Sequence, residues 1–469
     1  MSVKLVRNLM TGLHRGQTRI WIEPTALEAA GLQAGDHITQ IVQGNAIVIR
    51  RSVVETDRSV SKRKRPGSSY ERPLFESCSK EVSLVLLPRQ RIDILVSDGM
   101  LVIQKERSFD LFLVETPQLQ GSDLKKLRLY SGPCGAGLAT AVAVDTGLYE
   151  PVGAVDLWPE AVDAYLHNFK DGCAYLGDLT RKHTDYIPQA DVCWLSPSCV
   201  NFSSLGNMNQ GITEGHGPHY ARIVLATGAQ AVMIEQVPAY FKSESYAQLK
   251  QLLRPFFPSI YETVIDAYDA GSVAGRVRGY AVFFRERIVF AWPRFPKLPE
   301  HRRKTVGQVI GKEWEEGEWR SIEGTVMQGL LSKSGPNNFS SEKNNTLVDL
   351  EQKRISAFVA NYRKFQVTSS YLRHPSKPIW RPFRSDEIAA MLNIPAFYEF
   401  PDWMSEGLIV KLLGQSIDGN VVKPIQISVA VALMGQRYRQ IAGQRRNEEV
   451  HECEVPIVEE EGQGSFWFE

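Results

Sequence analysis

The residues best suited to chemistry in this 469-residue chain are a cysteine and a glutamate, Cys199 and Glu235. Cys199 stands in Trp194-Leu195-Ser196-Pro197-Ser198-Cys199-Val200-Asn201-Phe202-Ser203, a loop rich in serine that follows an apolar strand. A loop at a strand end exposes its side chains. A cysteine there can attack as the thiolate when positive charge or hydrogen-bond donors lower its pKa. Cys193, inside the strand, is expected to be buried and inert. Glu235 ends the next apolar run, Ala231-Val232-Met233-Ile234, which places its carboxyl to share a site with Cys199. Farther on, Arg276 and Arg278 stand at i, i+2 in Ala274-Gly275-Arg276-Val277-Arg278-Gly279. On an extended segment such a pair points one way and can hold a phosphate or orient the glutamate.

A second set of residues suits a cofactor. The turn Tyr130-Ser131-Gly132-Pro133-Cys134-Gly135-Ala136-Gly137 lies between an apolar strand and an apolar helix. Its glycines allow a tight turn and close approach to the backbone, as for nucleotides or S-adenosylmethionine. The next strand ends in Asp156-Leu157-Trp158. An acid there suits ribose hydroxyls, and the indole can stack on adenine. In Leu176-Gly177-Asp178-Leu179, Asp178 could accept a hydrogen bond from an exocyclic amine. Each carboxylate alone reads equally well as a helix N-cap. Three elements in order, each after a strand, point to a ligand.

These residues need strands to carry them. Strands are expected over 127–130, 152–155, 192–195, 231–234, 263–267 and 280–284, with helices between several of them, such as 159–169. That alternation predicts an α/β domain with a mostly parallel sheet, its ligands at the carboxyl ends of the strands. Upstream, residues 17–51 read as a small β unit with a short helix over 24–30. A second β unit covers 81–104, with apolar runs over 82–87, 92–96 and 100–103. The endings IVQGNAIVIRR and LVSDGMLVIQKE look alike and suggest an internal repeat. Between the units, residues 59–73 read as a linker.

The ordered set resembles the cytosine-C5 DNA methyltransferase family over 127–284, and again over 381–401 and 412–429. The family's cofactor turn resembles Tyr130–Gly137, its ribose acid and adenine-stacking residue match Asp156 and Trp158, and its adenine-amine aspartate matches Asp178. The nucleophile loop resembles Pro197-Ser198-Cys199 with one residue inserted. The Glu-Asn-Val and Gln-x-Arg-x-Arg elements resemble Glu235-Gln236-Val237 and Ala274–Arg278. The motif that closes the cofactor pocket resembles Gly414-Gln415-Ser416-Ile417. Departures are Gln236 and Gln415 for asparagine, Ala274 for glutamine, and the inserted serine.

The resemblance implies a Rossmann-like methyltransferase domain that uses S-adenosylmethionine. Tyr130, Ser131, Gly132, Gly135, Gly137, Asp156, Leu157, Trp158, Asp178, Leu179, Pro197, Gln415 and Ser416 would hold the cofactor. Cys199 would add to C6 of a flipped cytosine, helped by Glu235, Arg276 and Arg278. The expected division is a β-rich segment over 1–110, a catalytic domain over 124–295, a target-recognition region over 296–384, a part completing the catalytic domain over 385–445, and an acidic tail over 446–469. The N-terminal segment resembles AbrB-type swapped-hairpin DNA-binding domains.

Double-stranded DNA is the expected partner. The net charge is only +1, yet six Lys/Arg and no Asp or Glu lie between Arg363 and Arg384. A balanced total can hide a positive face. Arg363, Lys364, Arg373, Lys377 and Arg381 are candidate phosphate contacts, with Ser203 near the base; the basic run Lys62-Arg63-Lys64-Arg65 could add contacts or be a solvated linker. A cognate restriction endonuclease and self-association through the N-terminal segment are further partners to consider. Six scattered cysteines, no apolar leader and no run of about 18 apolar residues fit a cytoplasmic, nucleoid-associated protein without a metal site or membrane span. Two alternatives stand beside the enzyme: a non-catalytic DNA-binding regulator on the same scaffold, and a C5 methylase acting on tRNA or using a modified sulfonium donor.

Overall fold

The computed structural model describes residues 3–44, 46–56, 58–64, 71–106, 126–181, 184–198, 215–295, 298–333 and 340–452. Cys199 and Ser203 lie outside the described residues.

A 12-stranded sheet runs through the molecule. Its larger half is ordered Ser259–Asp266, Val277–Phe284, Ala231–Gln236, Val192–Leu195, Leu127–Ser131, Tyr149–Asp156 and Cys173–Leu176. Strands from Ala231–Gln236 to Cys173–Leu176 pair in parallel, whereas Val277–Phe284 is antiparallel to both of its neighbours. The chain starts at Leu127–Ser131, builds outward to Cys173–Leu176, then returns to add Val192–Leu195 on the other side. That reversal opens a crevice at the carboxyl ends of the two central strands, which is where ligands bind in open α/β sheets. These strands are apolar on both faces because helices cover both. Tyr220, Ile223 and Val224 of Gly217–Thr227 and Leu249 and Leu253 of Glu244–Leu253 pack on one face. Val142 of Leu138–Asp145 and Val421, Val422 and Ile425 of the C-terminal helix pack on the other. The C-terminal helix is thereby built into the core of this half, where Gln426 also donates to the Ala139 carbonyl at 2.9 Å.

The other half of the sheet comes from the N-terminus. Leu5–Met10 pairs in parallel with Cys173–Leu176 and antiparallel with Arg91–Ser97. Beyond it follow Met100–Lys105, Ala46–Arg51 and Ile38–Gln43. Two β-α-β-β units interlock here. The first is Gln17–Ile22, Pro24–Ala29, Ile38–Gln43 and Ala46–Arg51; the second is Glu71–Cys78, Lys80–Val85, Arg91–Ser97 and Met100–Lys105. Their first strands pair antiparallel, as do their last, with Val48 opposite Val102 at the centre of a pseudo-twofold arrangement.

Two expectations need correction. The run 82–87 is not a strand: Lys80–Val85 is a helix, capped by Ser79, whose side chain accepts from the Val82 N–H. The cap satisfies a free amide and decides an apolar run too short to show its period. Nor is 59–73 simply a linker. Ser61–Lys64 pairs antiparallel with Glu71–Cys78, so a charged stretch forms the edge of a small second sheet. Charged edge strands are a common protection against unwanted pairing.

The region 298–384 has an aromatic core despite its irregular sequence. Tyr362 stacks on Tyr371 at 5.2 Å between centroids, and Tyr371 meets Trp380 edge-on at 5.5 Å. Tyr371–Arg373 and Ile379–Arg381 are central strands of a four-stranded sheet. No single helix among the described residues is long and apolar enough to cross a membrane.

Candidate active site

Glu235 lies near the carboxyl end of Ala231–Gln236, one strand away from the loop that leads to Cys199. It is 5% exposed, and its Oε1 is 3.2 Å from Arg278 Nε. Burial pushes its pKa above the usual range; Arg278 and then Arg276 oppose the shift. The carboxyl is therefore a group that can carry a proton at higher pH than an exposed glutamate. Beside it, the Gln236 side chain donates to the Pro197 carbonyl and accepts from the Val237 N–H at 2.6 Å. The Tyr220 hydroxyl, from the helix Gly217–Thr227, is hydrogen-bonded to the Ser198 backbone. The two residues preceding Cys199 are thus held from two elements. Cys193, by contrast, is buried, and burial pushes its thiol pKa far up.

Arg276 and Arg278 divide their tasks. Arg278 faces Glu235, whereas Arg276 is 5% exposed and donates to the carbonyls of Ser416 and, at 3.3 Å, Phe358. Burial lowers its pKa to about 10. Arg276 therefore ties the Gln415-Ser416 segment to the catalytic sheet and has no free face for a phosphate. Gly414 makes that junction feasible, because a Cβ there would collide with the Val359 backbone. Gln415 is exposed, and the Ser416 hydroxyl donates to the Leu413 carbonyl at 2.7 Å.

At the cofactor end, the turn after Leu127–Ser131 is packed on one side and open on the other. Ser131 is buried against Thr140, Oγ to Oγ1 2.8 Å, and Tyr130 is buried with its hydroxyl unpartnered among the described residues. A Cβ on Gly132 would strike Val155, and one on Gly137, at φ 80°, would lie 2.7 Å from the Tyr165 ring. A Cβ on Gly135 would meet nothing within 4 Å. Asp156 accepts from the Gly135 N–H at 2.8 Å and from the Trp158 N–H at 3.0 Å, so it ties the glycine turn to the segment that leads into the following helix. Burial raises its pKa, against three backbone hydrogen bonds. Leu157 is 66% exposed, and Lys411 Nζ sits 4.3 Å from the centroid of the Trp158 ring. Asp178 accepts from the Thr180 N–H and hydroxyl at 2.9 and 2.7 Å. The Leu179 carbonyl accepts from Arg222 at 3.0 Å.

A family model described as C-5 cytosine-specific DNA methylase matches residues 124–429, more than half of the chain. The chain belongs to that family. It is 26% identical over 337 residues to the type II methyltransferase M.MspI of a Moraxella species, across 69% of this chain and 75% of that protein. The structure resembles the Dnmt2 methyltransferase of S. pombe, with a TM-score of 0.53 and 18% identity over 66% of this chain and 99% of that one. It resembles the Entamoeba histolytica methyltransferase EhMeth equally, at 0.53 and 15%, over 68% and 99%. At such identities these likenesses establish the fold, a Rossmann-like methyltransferase. Members of this C5 methylase family use S-adenosylmethionine. The cofactor end fits that group: an open backbone turn at Gly135, the carboxylates of Asp156 and Asp178, and an apolar surface at Leu157 and Trp158. The family match begins at 124, so the N-terminal units lie outside it.

Among the expected phosphate contacts, Lys364, Arg373 and Lys377 are exposed. Arg363 is paired with Glu406 at 3.0 Å. Arg381 is corrected: it is 1% exposed and grips Glu387 through two bonds of 2.7 and 2.6 Å. Its place on a central strand under the aromatic cluster keeps it from any nucleic acid. Reading by residue type missed Tyr220 and Arg222, although an arginine within the apolar helix Gly217–Thr227 is itself a sign of a buried role.

Proposed function

We propose that this chain methylates C5 of cytosine in duplex DNA, with Cys199 as nucleophile and Glu235 as the acid at N3. The observation that carries the reading is the adjacency of buried Glu235, whose pKa burial raises, to Gln236, whose amide grips the loop two residues before Cys199. Bound S-adenosylmethionine supplies an electrophilic methyl group. Asp156 and Trp158 would hold its ribose and adenine, Asp178 and Leu179 its adenine edge, and Pro197, Gln415 and Ser416 would close the pocket over the turn Tyr130–Gly137.

The cytosine must first leave the duplex, at a cost of about a few kcal/mol in pairing and stacking. The Cys199 thiolate then bonds to C6, and the C5–C6 π electrons shift toward N3. Glu235 donates its proton to N3, which leaves C5 as an enamine carbon able to take the methyl group. Arg278 stabilises the Glu235 carboxylate once the proton has gone. Loss of the C5 proton to a base re-forms the double bond and expels the Cys199 thiolate.

Duplex DNA is favoured as substrate by exposed Lys364, Arg373 and Lys377 on the region after 298 and by the tandem β-α-β-β units. Those units support the resemblance to swapped-hairpin DNA-binding domains. The likeness to a type II methyltransferase supports a role beside a cognate endonuclease. The test is covalent trapping: incubation with S-adenosylmethionine and a pool of duplexes containing 5-fluorocytosine, which cannot release the C5 substituent. A complex lost in Cys199→Ala is expected. Trapping on fluorinated tRNA alone would move the substrate, and trapping on neither would sink the enzymatic reading.

A further inference from the structure

The loop that carries Asp178 is gripped by the N-terminal domain. Leu5–Met10 lies alongside the strand that leads into that loop, with Arg7 opposite Leu176. A Cβ on Gly177 would lie 2.8 Å from the Asn8 Cβ, so the loop rests directly on Asn8. Arg181 closes the far end of the loop: its N–H donates to the Asp178 carbonyl at 3.0 Å. The Arg181 guanidinium makes two bonds of 3.0 Å to the carboxylate of Glu106, the residue following Met100–Lys105. Glu106 is itself fixed, accepting from the Asn8 amide at 2.9 Å. Asn8 also donates to Asp93 at 3.0 Å and accepts from Arg91 at 3.1 Å. Every polar atom of the Asn8 side chain is thus used in a network that ends on the Asp178 loop.

We infer that the N-terminal domain is a working part of the cofactor site, with Glu106 and Asn8 acting as positioning residues that set the Gly177–Leu179 loop through Arg181. Arg222 holds the same loop from the catalytic side at the Leu179 carbonyl. The loop is therefore supported from both domains. The inference rests on the reading of Asp178 as an adenine contact.

The test measures S-adenosylhomocysteine binding by calorimetry on the full chain, so it needs neither DNA nor Cys199. Arg181→Glu sets two carboxylates against each other and is expected to weaken binding roughly five- to tenfold at low salt, the size of a coupled, partly exposed charge pair. Glu106→Arg should act alike, and the exchange Glu106→Arg with Arg181→Glu should recover most of the loss. In turnover assays the KM for S-adenosylmethionine should rise while kcat at saturating cofactor stays near that of the parent protein. A merely structural contact would lower thermal stability without that split. Arg181→Gln, which removes the charge without reversing it, serves if the reversed variant does not fold. Unchanged affinity in Arg181→Glu and Arg181→Gln, with Asp178→Ala clearly weakened, would overturn the inference. Unchanged affinity in Asp178→Ala as well would overturn the reading of that loop, and the inference with it.

Discussion

Gln236 reaches across from one strand to the loop of its neighbour: its side-chain amide donates to the carbonyl of Pro197, and its oxygen accepts from the Val237 N–H. The family pattern has asparagine at this position and one residue fewer between proline and cysteine. A longer side chain therefore accompanies a longer loop, and Gln236 holds the backbone two residues ahead of the nucleophile. Truncation should misplace Cys199. Gln236→Ala is expected to slow adduct formation by about 10- to 100-fold, since displacements near 1 Å have that effect. The stability loss should be only about 1 to 2 kcal/mol. Gln236→Asn should fall between. Rapid-quench trapping on 5-fluorocytosine duplex measures it, and an alanine variant trapping at the parent rate would show the contact to be idle.

Glu235 has a sign to its pH dependence. Its folded pKa is raised because burial disfavours the charge more than Arg278 and Arg276 favour it. The protonated form therefore persists to higher pH, and a rate that needs that proton at N3 declines as pH rises through the raised pKa. Glu235→Gln cannot donate the same way. It is expected to lower kcat by about 10²- to 10⁴-fold and to abolish this alkaline decline. A glutamine variant that keeps the decline would assign it to another group.

The catalytic half was legible because its signals are local and repeated. A strand leads into a glycine turn at Ser131 and into acids at Asp156 and Asp178, and a both-faces-apolar strand precedes the loop of Cys199. Distances across the sheet were not legible. Nothing in the spacing of Arg276 and Arg278 says that one faces Glu235 while the other leaves for Ser416, because Arg276 precedes the strand that begins at Val277. Arg381 misled for a related reason. A basic residue in a basic stretch reads as surface, and only its partner Glu387, in the following helix, reveals that the pair is internal. The N-terminal repeat was visible as two similar endings, but its fusion to the catalytic sheet through Leu5–Met10 depends on long-range pairing.

Arg381 and Lys377 should separate cleanly in experiment. Arg381→Ala leaves Glu387, 1% exposed, without its two-bond partner and with Arg384 Nη1 no nearer than 3.7 Å. Breaking a buried pair in this way costs about 3 to 5 kcal/mol, so this variant should unfold at markedly lower urea. Lys377 is exposed, and Lys377→Ala should change stability by no more than about 0.5 kcal/mol. If it meets a phosphate, its loss weakens DNA binding evenly across sequences and reduces the slope of log K against log salt by about 1. An unchanged salt slope would remove Lys377 from the DNA contact surface.

Asp418 links the C-terminal helix to the loop before Arg276. It is 1% exposed; its Oδ1 accepts from the Ser272 hydroxyl at 2.8 Å and the Asn420 N–H at 3.0 Å, while Oδ2 has no hydrogen-bond partner among the described residues. Burial raises its pKa to about 6, against those two hydrogen bonds and Arg276. The unfolded carboxyl ionises near about 3.9. Between these values the native state holds the extra proton, so the stability that Asp418 contributes is full below the lower pKa and is lost as pH rises through the upper one. Over that window the loss is about 2 to 3 kcal/mol. Asp418→Asn keeps the shape and the Oδ1 acceptor but has nothing to ionise. Its stability relative to the parent chain should therefore rise by that amount between pH 4 and pH 7.5. Urea unfolding at the two pH values measures the difference, and a gap that stays constant would mean that Asp418 is already charged at pH 4.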